Sequence, residues 1–269
     1  MILRAAKARA TPILKSSREI DLMRQAGRVV CRVLDRIQEL VRPGVSTDEL
    51  NSEAERIIAD EGGIALFKGV TNPQAKFPFP AALCTSVNEE VVHGIPGPSM
   101  LVEGDVVSVD CGVKLHGYCG DSARTFAVGQ LNAETKRLLD VTRSSLELAI
   151  AEMRPNRPWS EVARQIQKLV EDAGFSVVRD FVGHGIGQSM HEEPKVANYV
   201  DAEQARQDFC LQAGMVLAVE PMVNTGRPAV AFGDKSGWPV VTKDGKPSAH
   251  FEHTIAITEN GSQVLTDGR

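Results

Sequence analysis

The sequence has no apolar run of the roughly 18 residues that a membrane-spanning helix needs, and Met1 to Ala10 holds no apolar core of the secretory kind. A cytoplasmic chain with no membrane partner is therefore expected. There is no Cys-x-x-Cys pair either. Cys31, Cys84, Cys111, Cys119 and Cys210 form an odd, scattered set, which argues against a disulfide framework or a structural zinc knuckle and makes them reduced thiols. Basic surplus is missing too: 30 Lys and Arg stand against 35 Asp and Glu, a formal charge of -5. Specific nucleic-acid binding, which draws on a clustered basic surface, is not expected. With 24% charged and 42% hydrophobic residues, the composition is that of an ordinary globular chain and excludes disordered, collagen-like and coiled-coil classes.

Positive signals begin at the amino end. Residues 1–17 contain Arg4, Lys7, Arg9 and Lys15 and no acid, which reads as a basic, solvated and flexible extension, with an organelle-targeting peptide or docking to an anionic surface such as the ribosome as the functional alternatives. From Arg18 to Val41, Leu22, Met23, Val29, Val30, Val33, Leu34, Ile37 and Leu40 recur near helical spacing until Pro43-Gly44 stops them. Ser46-Thr47-Asp48-Glu49 has the form of a capping box for a second helix running to about Asp60. Leu83 to Val87, Asp105 to Cys111 and Ser122 to Val128 read as strands. Alternation along the middle one puts Val106, Ser108 and Asp110 on one face and Val107, Val109 and Cys111 on the other.

The second half repeats this order. Glu134 to Met153 is patterned as a helix, Pro155 and Pro158 break it, and Ser160 is placed to cap another that closes near Ala173-Gly174. Val92-His93-Gly94-Ile95 is echoed by Gly183-His184-Gly185-Ile186. Gly104 to Asp110 is echoed by Gly214 to Glu220, and Asp121 with its following strand by Glu252 with its own. The expectation is an α/β (α+β) chain of two helix-helix-antiparallel-sheet units, about 18–129 and 133–262, related by a pseudo-two-fold axis in one domain spanning 18–269. Such an axis would carry both carboxylate pairs to the centre.

Four carboxylates brought together would repel, since burying charge without counter-charge is very costly. Divalent cations resolve the conflict. Asp110, Asp121, Glu220 and Glu252, with the imidazole of His184 exposed between flanking glycines, suit a pair of adjacent ions. Carboxylate and imidazole donors accept Mn²⁺, Fe²⁺, Co²⁺ and Zn²⁺ alike, so the sequence does not select the metal. His191, just past the His184 loop, is placed for a catalytic hydrogen bond, and His93 for contact with substrate or leaving amine.

Taken together, Ser86-Val87-Asn88-Glu89, Val92 to Pro96, Val109-Asp110, Gly120-Asp121, Gly183 to Gly187, His191-Glu192-Glu193-Pro194, Val219 to Met222 and Phe251 to Thr254 resemble the motif set of bacterial type I methionine aminopeptidases, over about Arg18 to Leu265. The resemblance implies the pita-bread fold and removal of the initiator methionine from nascent chains whose second residue is small. It implies that Asp121 and Glu252 bridge two metal ions, that Asp110 holds one and that His184 and Glu220 hold the other. By the same likeness, a metal-activated hydroxide attacks the scissile carbonyl, Glu220 takes its proton, His191 stabilises the oxyanion and His93 meets the peptide nitrogen side. The methionine side chain would lie against Phe79, Cys84 and Trp238, with Met190 where an aromatic is usual in the family and Lys76 where Tyr is frequent. A monomer is expected.

Prolidases and proline aminopeptidases share these ligand types but usually carry a further N-terminal domain. A non-catalytic relative would have lost ligands, and here all five are present.

Overall fold

The computed structural model describes residues 12–269. Arg4, Lys7 and Arg9 of the basic extension lie outside the described residues. Lys15, grouped with that flexible extension above, behaves otherwise. Its side chain is buried against Glu192, with Nζ 2.6 Å from Oε2, and its backbone N–H donates to Gly214 O.

Helix α1 (Ser17–Leu40) starts with a capping box that sequence reading passed over: Ser16 Oγ accepts from the Glu19 N–H while the Glu19 carboxylate accepts from the Ser16 N–H. Helix α2 (Thr47–Asp60) opens on the expected Ser46–Glu49 box. Each such cap contributes about 1 kcal/mol by satisfying otherwise orphaned N–H groups. Helix α3 (Ala133–Glu152) is capped by Asn132, whose side chain accepts from the Thr135 N–H. Helix α4 (Trp159–Asp172) corrects one expectation. It begins a residue before Ser160, with Pro158 at the cap position, and the remote Asp208 accepts from both the N–H and the hydroxyl of Ser160.

The first half builds β1 (Ile64–Ala65), β2 (Leu83–Val87), β3 (Glu90–Val92) and a long hairpin of β4 (Val106–Leu115) and β5 (Tyr118–Ala127). His116 and Gly117, at φ 51° and 85°, form the tight turn of the primed type whose twist suits a hairpin. β4 runs past its expected end at Cys111 because Gly112 leaves room for the Phe67 ring and β1 pairs with Val113 and Lys114. The second half has β6 (Ser176–Val177), β7 (Gly183–Gly185), β8 (Glu192–Val196), a short helix α5 (Ala202–Arg206), β9 (Val216–Val219), β10 (Met222–Asn224), β11 (Val230–Phe232), β12 (Val240–Thr242), β13 (Ser248–His250), β14 (His253–Thr258) and β15 (Gly261–Val264). In the first half β4 pairs with β1, β2 and β5. In the second the order is β15-β14-β9-β7-β8, and every pairing is antiparallel.

Period-two alternation decides which core each face serves. Val107, Val109, Cys111 and Val113 of β4 are buried beneath α1 and α2 with Val30, Leu34 and Ile37. Val106 joins the other core, formed under α3 and α4 by Leu138, Leu146, Ile166 and Leu217 among others. Helix α1 reaches β5 at a point where neither element has a side chain: a Cβ on Gly120 would sit 2.7 Å from the Gly27 amide nitrogen. Alanine at Gly120 would push helix from sheet, and alanine at Gly27 would collide with the Leu265 carbonyl of the C-terminal segment.

The helix-helix-sheet unit thus occurs twice, and the two sheets meet edge to edge through reciprocal bonds. The Asp121 N–H donates to Thr254 Oγ1, which donates back to Asp121 O. Ser122 Oγ donates to Glu252 O, and the Glu252 N–H donates to Ala123 O. One correspondence read from sequence changes. Ser86 pairs with Ser108 on β4, and His184 pairs with Ala218 on β9. With Asp110 matched to Glu220, the counterpart of His184 is Ser86. His93 instead follows β3, in a left-handed conformation at φ 60°.

Candidate metal centre

Sheet register explains why these acids converge. Asp121 lies opposite Gly112 in the β4–β5 hairpin, so Asp110, two residues along, is its diagonal neighbour on the same face, and Cys84 on β2 lies directly opposite Asp110. In the second sheet His253 pairs with Val219, which brings Glu252 and Glu220 abreast at the strand ends. The join between β5 and β14 then sets the two faces against each other. Donor atoms of Asp121, His184 and Glu252 all lie within 4.8 Å of one another. His184 Nε2 is 3.6 Å from Glu220 Oε1. Its Nδ1 lies 2.9 Å from Gly185 O, so Nδ1 carries the proton and the Nε2 lone pair faces the carboxylates.

These residues line a cavity of about 540 Å³. Among the described residues, Asp110 Oδ1, Asp121 Oδ1 and Glu252 Oε1 are buried without any hydrogen-bond partner, a costly state for carboxylate oxygens. Burial pushes the Asp121 carboxyl up to about 7. Asp110, Glu220 and Glu252 are driven well above the usual carboxylate range by burial and then by repulsion from Asp121. His184 is lowered to about 4 by burial and by the neighbouring His191, so it is a neutral donor at neutral pH. Four carboxylates buried beside one neutral imidazole fit divalent cations, whose charge would offset the repulsion.

His191 stands beside the cluster, its ring 4.4 Å from that of His184 and steeply inclined to it. His93 approaches from the other wall, 5.4 Å from Phe181 and edge-on, with burial lowering it to about 4. Next to the acids Phe79, Cys84 and Trp238 form an apolar cluster on which Met190 packs. Phe79 and Trp238 meet edge to face at 5.1 Å, and Trp238 Nε1 donates to Phe77 O, which anchors the indole. Lys76 is exposed and does not line the cavity.

Among the cavity residues that sequence reading missed are Phe67, Val70, Phe181 and His250. Phe67 and Val70 sit on an irregular loop closed by reciprocal Gly69–Phe79 and Phe79–Val70 backbone bonds, which leaves no periodic trace. His250 is buried, with Nε2 3.8 Å from Glu220 Oε2. Its place two residues before Glu252, on a strand facing the same centre, was the available signal.

The model for metallopeptidase family M24 matches residues 21–259. The chain belongs to that family. It is 47% identical over 255 residues to methionine aminopeptidase 1 of Bacillus subtilis, covering 94% of this chain and 98% of that protein. With methionine aminopeptidase of Escherichia coli strain K12 it shares 40% over 255 residues, covering 94% and 93%. The crystal structure of methionine aminopeptidase from Thermotoga maritima superposes with a TM-score of 0.89 at 40% identity, covering 95% of this chain and 99% of that one. An Xaa-Pro dipeptidase from Bacillus anthracis shares the pita-bread fold at a TM-score of 0.70 but only 21% identity, and the match spans 63% of its length. Of these relatives, the methionine aminopeptidases are covered over nearly their whole length and the dipeptidase is not.

Proposed function

We propose that this M24 peptidase is a cytoplasmic, monomeric methionine aminopeptidase that removes the initiator methionine from nascent chains with a small second residue, using two divalent cations. The observation that carries the reading is the buried cluster of Asp110, Asp121 and Glu252, each with one oxygen lacking a partner among the described residues, set against an apolar, sulfur- and aromatic-lined pocket. Asp121 and Glu252 would contact both ions, Asp110 one, and His184 with Glu220 the other. Bound there, the cations supply Lewis acidity and a water made acidic enough to react near neutral pH.

The protein groups do the rest. The pocket of Phe79, Cys84, Trp238 and Met190 accepts an unbranched thioether, for which sulfur–aromatic contacts are favourable. Glu220, flanked by His184 and His250, accepts the proton of the attacking water. His191 donates to the oxygen that gains charge as the carbonyl becomes tetrahedral, and His93, held by Phe181, binds at the peptide nitrogen.

Peptide profiling tests the assignment. Co²⁺- or Mn²⁺-loaded protein should release methionine from Met-Ala-Ser, release far less from Met-Leu-Ser because the second side chain is larger, and leave Ala-Pro-Ser intact. Cleavage of Ala-Pro-Ser in preference would make it a proline-type enzyme. Well-folded protein that releases nothing would defeat the enzyme reading.

Metal uptake should also release protons. Asp121 keeps its proton to about 7 without metal, so below that pH an entering cation displaces it, and apparent affinity should rise by about tenfold per pH unit for each proton displaced. Calorimetric titration in buffers of different ionisation enthalpy measures the count, from which the Asp121 proton should drop out above pH 7. A ribosomal role for the basic extension is separable: replacing Arg4, Lys7 and Arg9 by Ala should weaken co-sedimentation with ribosomes, and unchanged binding removes that idea.

A further inference from the structure

The His191 loop is held in place from the far end of the chain. Glu192, adjacent to His191, is largely buried, and its Oε2 lies 2.6 Å from Lys15 Nζ, whose side chain is 3% exposed. Lys15 is fixed in turn: its Nζ donates to Ile13 O and its N–H to Gly214 O, at the entrance to β9. The other Glu192 oxygen accepts from the Ser189 N–H. The pair lies directly over Gly187, where a Cβ would come within 2.5 Å of Glu192 Oε1 and 2.6 Å of Lys15 Cε. The loop is therefore clamped between the β-hairpin below, where the Cys119 N–H donates to Gly187 O, and the Lys15 ammonium above.

We infer that Lys15 is a positioning residue for catalysis: through Glu192 it sets the Met190–His191 segment, and with it the His191 donor. The inference rests on the role given to His191 above. Two charges buried at contact distance make a connection that is stiff and costly to break, because either partner alone is an uncompensated buried charge. Removing the ammonium would release Glu192, which would turn toward water or toward the cavity it lines, where the carboxylates already repel. Either movement displaces His191, the neighbouring residue. Displacements of the order of an ångström in a catalytic group cost about a hundredfold. None of the metal donors named above belongs to this loop, so metal uptake should be spared.

Lys15→Met keeps the length of the side chain and removes its charge. The expected result is a fall in kcat of about ten- to a hundredfold, with KM for Met-Ala-Ser and metal stoichiometry close to wild type. In a His191→Ala background the same substitution should cost almost nothing more, because the effect travels through His191. The imidazole signals of His191 in the proton NMR spectrum, assigned by their loss in His191→Ala, should shift in Lys15→Met while those of His93 hold. Wild-type kcat in folded Lys15→Met, an equal loss in the His191→Ala background, or unmoved His191 signals would each overturn the inference. The NMR arm reads the loop whether or not the wild type releases methionine, so failure of the peptidase assignment is told apart from failure of the clamp. Should Lys15→Met not fold, Glu192→Gln makes the same prediction from the other partner.

Discussion

Asp121→Asn should yield a protein that is more stable without metal and nearly inert with it. Asp121 sits where both carboxylate pairs meet, buried, with one oxygen lacking any partner. An amide there cannot supply the charge that draws two cations together, and loss of several kcal/mol of metal-derived stabilisation corresponds to a fall in kcat of on the order of a thousandfold. The stability effect has the opposite sign and a defined pH window. The native carboxyl titrates near 7 and the unfolded one near 3.9, so between those values the native state binds the extra proton and wild-type stability drops as pH rises. Asparagine has no proton to lose. In chelator the variant should therefore match wild type near pH 4 and gain progressively to about pH 7, reaching on the order of 4 kcal/mol, or several degrees in Tm. Calorimetry at pH 4.5 and 8 measures the difference. A variant less stable than wild type at pH 8 would mean that the carboxylate is held by partners within the protein rather than awaiting cations.

That window exists because of where the strands put their acids, and much of this placement was legible in the sequence. Period-two alternation in β4 assigns Asp110 to the face away from Val107 and Val109, and the repeated Gly104–Asp110 and Gly214–Glu220 segments point to two equivalent strands. Local pattern carries this much because strand periodicity and turn chemistry are local. The partner of His184 across the pseudo-axis was misread, since the Val-His-Gly-Ile echo is a resemblance of letters whereas strand pairing sets the correspondence with Ser86. The Ser160 cap failed for a similar reason, because Asp208 reaches it from 48 residues away. Lys15 was the largest miss. Its bond to Glu192 spans 177 residues, and a lysine in a basic stretch looks solvated until the fold supplies its carboxylate. Contacts made by tertiary approach, including the Phe67 and Val70 wall, leave no periodic signal.

His191→Ala should lower kcat by about a hundred- to a thousandfold, the usual cost of losing one oxyanion donor. Burial lowers the His191 imidazole below its ordinary range, so at pH 7 the ring is neutral and presents one N–H. His184 lies 4.4 Å away centre to centre and is itself neutral at that pH. A neutral donor stabilises an oxygen only as it gains charge, and its contribution is therefore greater in the transition state than in the bound peptide. KM should change little while kcat falls. His191→Asn, which retains an N–H donor on a shorter stem, should recover part of the loss. His93→Ala should behave differently, because a contact to the peptide nitrogen exists before reaction as well as during it, and KM and kcat should both suffer. Steady-state kinetics on Met-Ala-Ser, with metal content checked by elemental analysis, separates the two. If His191→Ala raised KM at unchanged kcat, the ring would be a ground-state substrate contact, and the charge developed on the carbonyl oxygen would be borne elsewhere in the centre.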